Sequence, residues 1–185
     1  PSAGLRRRRA AETRFRLYGL AAIALSLGTL AVMLVSILSD GVSAFRQATL
    51  TFPVHLDAAR LDESGTRDPA ALREVTTLGY GRLVEDAFLA HLAERGIPLD
   101  GLDEGDAADL LSREAPASLR DRVLADPSLI GTTVEATVLA AGRIDGYLKG
   151  RVTMASAERD GQVSPAQLAL ADRLRAAGIL GTAFN

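Results

Sequence analysis

The sequence predicts an α+β protein: one N-terminal transmembrane helix followed by a mainly helical extracytoplasmic domain with a few short strands. Three observations predict it. An apolar run with no acidic or basic side chain fills residues 17–38. Two later stretches alternate apolar and polar residues with the period of a strand. The remaining segments carry helix-start and helix-stop residues. The organisation that follows is a basic cytoplasmic leader over 1–16, the transmembrane helix over 17–38 and an extracytoplasmic α+β domain over 39–185.

The membrane segment reads LYGLAAIALSLGTLAVMLVSIL from Leu17 to Leu38, and Tyr18 holds its only ionisable group. Twenty-two helical residues reach about 33 Å, enough for a hydrocarbon core of roughly 30 Å. Ser26, Thr29 and Ser36 interrupt the run, but a hydroxyl in a helix can bond back to a carbonyl of the preceding turn. Arg6, Arg7, Arg8, Arg9, Arg14 and Arg16 stand before the run against Glu12, a net of +5, whereas Ser39 to Phe45 holds only Asp40. Positive flanks stay cytoplasmic, so the N-terminus is expected inside and residues 39–185 outside. A cleavable signal peptide is the rival reading, because Val42-Ser43-Ala44 has the small-x-small form of a cleavage site. The apolar run is longer than the roughly 7–15 residues of a signal core, which favours an anchor. Ala24 and Gly28 form a small-xxx-small pair of the kind that lets helices approach, a weak signal in an alanine-rich segment.

After the membrane segment, Ala48 to Asp57 places Leu50, Phe52, Val54 and Leu56 on one face of a strand. Pro53 has no N–H for a ladder, so the strand is expected to lie at a sheet edge or to begin there. Residues 60–68 are polar and turn-rich. Asp68-Pro69 predicts a helix start, with Asp as cap and Pro in the first turn. The stretch to Arg95 has helical apolar spacing, and Gly79 and Gly81 are expected to break it into two helices. Gly96 and Pro98 stop it. Short helices are expected over about 104–113 and from Ser118 to Ala125, with Ser118 and Asp121 as a capping box. Thr132 to Leu139 reads as a second strand, with a helix as the alternative. Arg143 to Lys149 suits a short helix. Ser164-Pro165-Ala166-Gln167 is a capping box that opens a last helix to Ala177, with Gly178 just past its end.

Composition narrows the function classes. The 185 residues contain no cysteine, which removes disulfides, thiolate catalysis and cysteine-based zinc sites. The sole asparagine is Asn185, so there is no glycosylation acceptor. Lys149 is the only lysine among many arginines, as arginine-favouring codon usage produces. Residues 39–185 carry 22 acidic and 15 basic groups, a net of −7, the wrong sign for binding nucleic acid. Lys149 is followed by Gly150 and not by Ser or Thr, and no glycine run precedes it, so no phosphate loop exists. Gly79-Tyr80-Gly81 lacks a third glycine and reads as a tight turn. His55 falls on the polar side of the first strand and His91 three residues after Phe88; they read as surface or boundary histidines. Asp100, Asp103, Glu104, Asp106 and Asp109 miss the spacing of a calcium loop and suit the start of a helix. No G-x-S-x-G elbow occurs. The residues therefore nominate no catalytic, cofactor-binding or metal site and no cofactor.

Four stretches together carry a resemblance: RFRLYGLAAIALSLGTLAVMLVSIL (Arg14 to Leu38), TFPVHLD (Thr51 to Asp57), DGYLKG (Asp145 to Gly150) and LRAAGILGTAFN (Leu174 to Asn185). They resemble the N-terminal region of the PstA family, a permease subunit of bacterial phosphate ABC importers. The likeness is to its longer form, in which an uncharacterised domain follows the first transmembrane helix. The resemblance implies a non-catalytic inner-membrane component, with ATP hydrolysis in separate subunits and with further transmembrane helices beyond this region. The implied partners are membrane lipid, the second permease subunit, the ATPase subunits and the periplasmic phosphate-binding protein. No transport residue carries over. A single-pass membrane-anchored binding or sensor module is the alternative, and a secreted hydrolase released by cleavage after Ala44 is a third reading.

Overall fold

The computed structural model describes residues 3–62 and 65–184. Glu63 and Ser64 of the turn-rich stretch and Asn185 lie outside the described residues, as do the side chains of Arg6 to Arg9. The chain divides into two compact units, Pro1–Phe45 and Arg46–Asn185.

The first unit is a single helix, α1, over Ala3–Ala44. It is longer than the apolar run because the arginine-rich leader continues the same helix. Within it, Arg14–Ser39 is long and apolar enough to cross a membrane, with none of its most apolar window buried. Thr29 donates its hydroxyl to the Leu25 carbonyl at 2.9 Å, so this polar group is satisfied inside the helix. In the leader, Arg16 pairs with Glu12 at 2.8 Å, one helical turn away.

The second unit is built on an antiparallel sheet of order β2-β1-β3, with β1 over Arg46–His55, β2 over Thr133–Leu139 and β3 over Leu180–Phe184. The strand alternative for 132–139 is therefore the correct one. Leu50 faces Val138 on one side and Leu180 on the other, and Phe52 faces Ala136. Ala48, Leu50, Phe52 and Val54 point into the core with Val134, Ala136 and Val138. The opposite face carries Thr51 against Thr137 at 3.1 Å and His55 against Thr133 at 3.2 Å, and remains exposed. One buried and one solvated face is the ordinary state of an antiparallel sheet.

Helices cover the buried face. They are α2 (Ala58–Leu61), α3 (Pro69–Glu74), α4 (Thr77–Glu94), α5 (Glu104–Ala108), α6 (Ala115–Ala125), α7 (Gly142–Leu148), α8 (Met154–Asp160) and α9 (Pro165–Ala176). α4 crosses β1 with the Phe88 ring 5.3 Å from that of Phe52. The two rings, with Tyr80, are the largest fully buried side chains.

Four expectations are corrected. β1 is the central strand and not an edge, and it runs through Pro53 instead of beginning there. Thr51 N–H donates to the Ile179 carbonyl, so the odd residues of β1 direct their main-chain groups toward β3. β3 pairs only as far as Leu50, which leaves the Pro53 nitrogen facing a side with no strand. Pro53 is an edge residue within a central strand. Second, the break after Asp68-Pro69 falls at Val75 and Thr76, both extended, and not at the glycines. Arg120 on α6 holds the break, donating to the Arg73 carbonyl at 2.8 Å and to the Val75 carbonyl at 3.1 Å. Third, Gly79-Tyr80-Gly81 is not a tight turn but lies inside α4, because burying Tyr80 outweighs the roughly 1 kcal/mol that each helical glycine costs. Fourth, Ser118 does not cap a helix. α6 begins three residues earlier, and the Ser118 hydroxyl bonds the Ala115 carbonyl. α5 is also shorter than expected. By contrast, Asp68 and Ser164 cap α3 and α9 as expected.

Candidate functional site

The second unit has an open cleft of about 610 Å³ between residues 106–114, the start of α7 and the α8–α9 junction. Its walls are set by helix ends. Ser164 Oγ accepts from Gln167 N–H at 3.1 Å, while Gln167 Oε1 accepts from Ser164 N–H at 2.8 Å. The Gln167 amide then donates to the Asp106 carbonyl at 2.8 Å and ties α9 to α5. Asp103 caps α5 by accepting from Asp106 N–H. The cleft presents Arg113 and Arg143 together with Asp106, Asp109 and Glu114. None of these five charges is in an ion pair among the described residues. A second groove, of about 680 Å³, shares Arg113 and runs beside the start of α4, where Leu78 is 81% exposed.

The serines of the first cleft are occupied: Ser112 Oγ accepts from Glu114 N–H, and Ser164 Oγ is the α9 cap.

Each residue singled out in the sequence has a definite place. His55 pairs with Thr133 on the open sheet face. His91 has a buried Nδ1 with no hydrogen-bond partner among the described residues, 3.9 Å from Glu94. Among the described residues no group of three or more His, Cys, Asp or Glu is close enough to hold a metal ion. The acidic cluster is dispersed by function: Asp103 caps α5, Glu104 and Asp106 occupy its first turn, and Asp100 pairs with Arg173 of α9.

DGYLKG proves to be a structural corner. Asp145 accepts from Ala48 N–H at 2.9 Å and from Lys149 at 2.7 Å, so one carboxylate anchors α7 to the beginning of β1 and neutralises the only lysine. A Cβ on Gly146 would stand 3.1 Å from a Val152 methyl, so a larger residue there would press Val152 aside by a few tenths of an ångström. The Tyr147 hydroxyl donates to Asp172 of α9 at 2.8 Å, which raises the phenol pKa, with partial burial adding to it. Gly150 has φ +71°, a left-handed position that ends the corner. Sequence spacing alone offers no sign that Asp145 reaches Ala48, 97 residues away.

Two further shifts have structural causes. The hydrogen bond from Arg60 to Asp86 raises the arginine pKa. Burial raises that of Tyr80, whose hydroxyl has no partner among the described residues; nearby Arg120 opposes the rise.

A family model described as a domain of unknown function, DUF3333, matches residues 2–158. The match runs from α1 to α8 and so takes in both units. No curated protein and no solved structure matches the chain.

Proposed function

The chain belongs to the DUF3333 family, and from that premise we propose that it is the N-terminal portion of an inner-membrane permease subunit of a phosphate ABC importer. Its second unit is then an accessory extracytoplasmic domain that contacts a partner. One observation carries this reading. Arg46, at the start of β1, pairs with Phe184 of β3, and the Arg46 guanidinium stacks 4.9 Å over the Phe184 ring. A domain inserted between membrane spans needs this adjacency, because the chain must return to the bilayer from which it came. The apolar stretch of α1, the +5 leader and the net charge of −7 beyond it support the same topology. In this arrangement the leader is cytoplasmic and residues 39–185 are periplasmic. An acidic domain repels phosphate, so the domain serves a partner and not the ion. The second permease subunit, the ATPase subunits and the periplasmic phosphate-binding protein are the candidates, and the mixed-charge cleft around Arg113 and Arg143 is the surface offered to the last of these.

The gene tests this first. Four or more apolar spans should follow Asn185, and a stop codon there removes the transporter reading. Topology is tested by single cysteines in the cysteine-free chain. Thr137→Cys should react with a membrane-impermeant maleimide applied from the periplasm, and Ala10→Cys only after lysis. The reverse pattern overturns the orientation. A single-pass binding or sensor module is the second reading, favoured by the separate core of Arg46–Asn185; it predicts the stop codon.

A further inference from the structure

The five phenylalanines of the chain divide into two groups. Phe52 and Phe88 are buried in the domain core, whereas Phe15, Phe45 and Phe184 are 80%, 64% and 66% exposed. Two of the exposed rings stand by sequence at the ends of the apolar stretch Arg14–Ser39, Phe15 at its start and Phe45 just past its end. The third is brought beside the next residue by the sheet. Arg46 follows Phe45, pairs with Phe184 across β1 and β3, and lays its guanidinium 4.9 Å over that ring. Arg46 cannot stray far from the end of the apolar stretch. α1 stays helical to Ala44; from Ser39, that helix and two further residues of any conformation span at most roughly 15 Å. This is comparable to the headgroup layer plus the reach of an arginine side chain.

We propose that Arg46 and Phe184 form a lipid-headgroup site, a contact of the folded domain with the bilayer surface that is separate from α1. The guanidinium meets the Phe184 ring with its face, which leaves its N–H edges free. Arg46 is exposed and in no ion pair among the described residues. A planar guanidinium can donate two parallel hydrogen bonds to one phosphate. An exposed aromatic ring beside it gains by leaving water for the interfacial layer. The nearby Asp145 carboxylate, which accepts from Ala48 N–H, is matched by Lys149 and does not cancel Arg46. The net charge of −7 over residues 39–185 repels anionic lipid in general, so attraction needs a local cation of this kind. One cation and one apolar ring side by side suit the phosphate of an amphiphile, not a free phosphate ion. The inference rests on α1 crossing the membrane and goes beyond the transporter reading.

The chain has no tryptophan, so one introduced Trp is a sole reporter. The test places the full chain in nanodiscs of phosphatidylglycerol and phosphatidylethanolamine with acyl chains brominated near the headgroup. Phe184→Trp, which keeps an exposed ring beside Arg46, should be blue-shifted and quenched. Thr133→Trp should be neither, because Thr133 is exposed and pairs with His55 at the far end of β1, about 30 Å from Arg46. Adding Arg46→Gln to Phe184→Trp should lower the ratio of lipid-bound to free indole about fivefold, the effect of one arginine at an anionic surface. Circular dichroism should be unchanged. Inorganic phosphate added at constant ionic strength should leave the quenching as it was; if it releases the indole, the ligand is the free ion and the lipid proposal falls. Leu27→Trp, in discs brominated near the bilayer centre, separates this inference from its premise. If Leu27→Trp escapes quenching, α1 does not span and both fail. If it is quenched while Phe184→Trp is not, the lipid contact alone is overturned. Equal quenching at 184 and 133, or indifference to Arg46→Gln, has the same consequence.

Discussion

A leucine in α1 and a leucine in β1 answer to opposite solvents. Leu25 is 73% exposed, whereas Leu50 is fully buried. In the helix, apolar side chains face outward all round, so no protein surface in the structure accounts for them. In the domain they keep to one face, every second residue on the strands and every third or fourth on the helices. What differs is the pattern of polar residues, not the apolar content. Where polar residues alternate with apolar ones, the chain makes its own interior; where charged residues are missing for over twenty residues, the helix is long and apolar enough to cross a membrane.

Substitutions can break this contrast from either side. The largest effect is expected for Phe88→Ala, which empties the stack on Phe52 and should destabilise the domain by about 3–5 kcal/mol, read from denaturation followed by circular dichroism. Membrane association should not change. Leu27→Arg reverses the pattern: it should lower membrane insertion by about 3 kcal/mol, measured as the fraction recovered with membranes, while domain hydrogen exchange stays the same. If the two readouts move together in either variant, the units are not independent in stability.

Smaller changes sharpen the domain side. Asp145→Ala removes the acceptor of Ala48 N–H and leaves the half-buried Lys149 without its partner, a loss of about 2 kcal/mol; protection at Ala48 should fall first in hydrogen exchange. Ser164→Ala removes one half of a capping box and should cost about 1 kcal/mol, seen as fraying of α9. The least effect is a pH dependence. The hydrogen bond to Asp172 raises the Tyr147 pKa above its ordinary value of 10.0. The stability it contributes is therefore complete below the unfolded-state value near 10.0 and is lost as pH climbs through the higher folded-state value. Tyr147→Phe should flatten this part of the alkaline stability curve.

Much of the domain was legible in the sequence where the signal is local. Asp68-Pro69 and Ser164-Pro165 announce their helices because a cap and its target lie within three residues. Leu50, Phe52, Val54 and Leu56 announce a buried face because the strand period is two. The failures have one cause in common. The α3–α4 break depends on Arg120, 45 residues beyond Val75. The helical state of Gly79 to Gly81 depends on the core that takes in Tyr80. β3 is too short and too rich in small residues to look like a strand until β1 lies beside it, and α2 and α8 are one- and two-turn helices with little periodicity to read. The cleft was equally hidden, since Arg113 and Arg143 stand 30 positions apart in the sequence and share it only through the packing of α5, α7 and α9.

By itself, then, the sequence determined which segment is suited to lipid, which residues of β1 and β2 turn inward, and where the capped helices begin. These follow from hydropathy, period and side-chain chemistry within a few neighbouring positions. Tertiary structure alone decided that β1 is central, that Asp145 anchors its first residues, and that Arg46 and Phe184 lie side by side. Strand order and long-range hydrogen bonds are chosen by the joint burial of residues more than eighty positions apart, and no local window contains both members of such a pair.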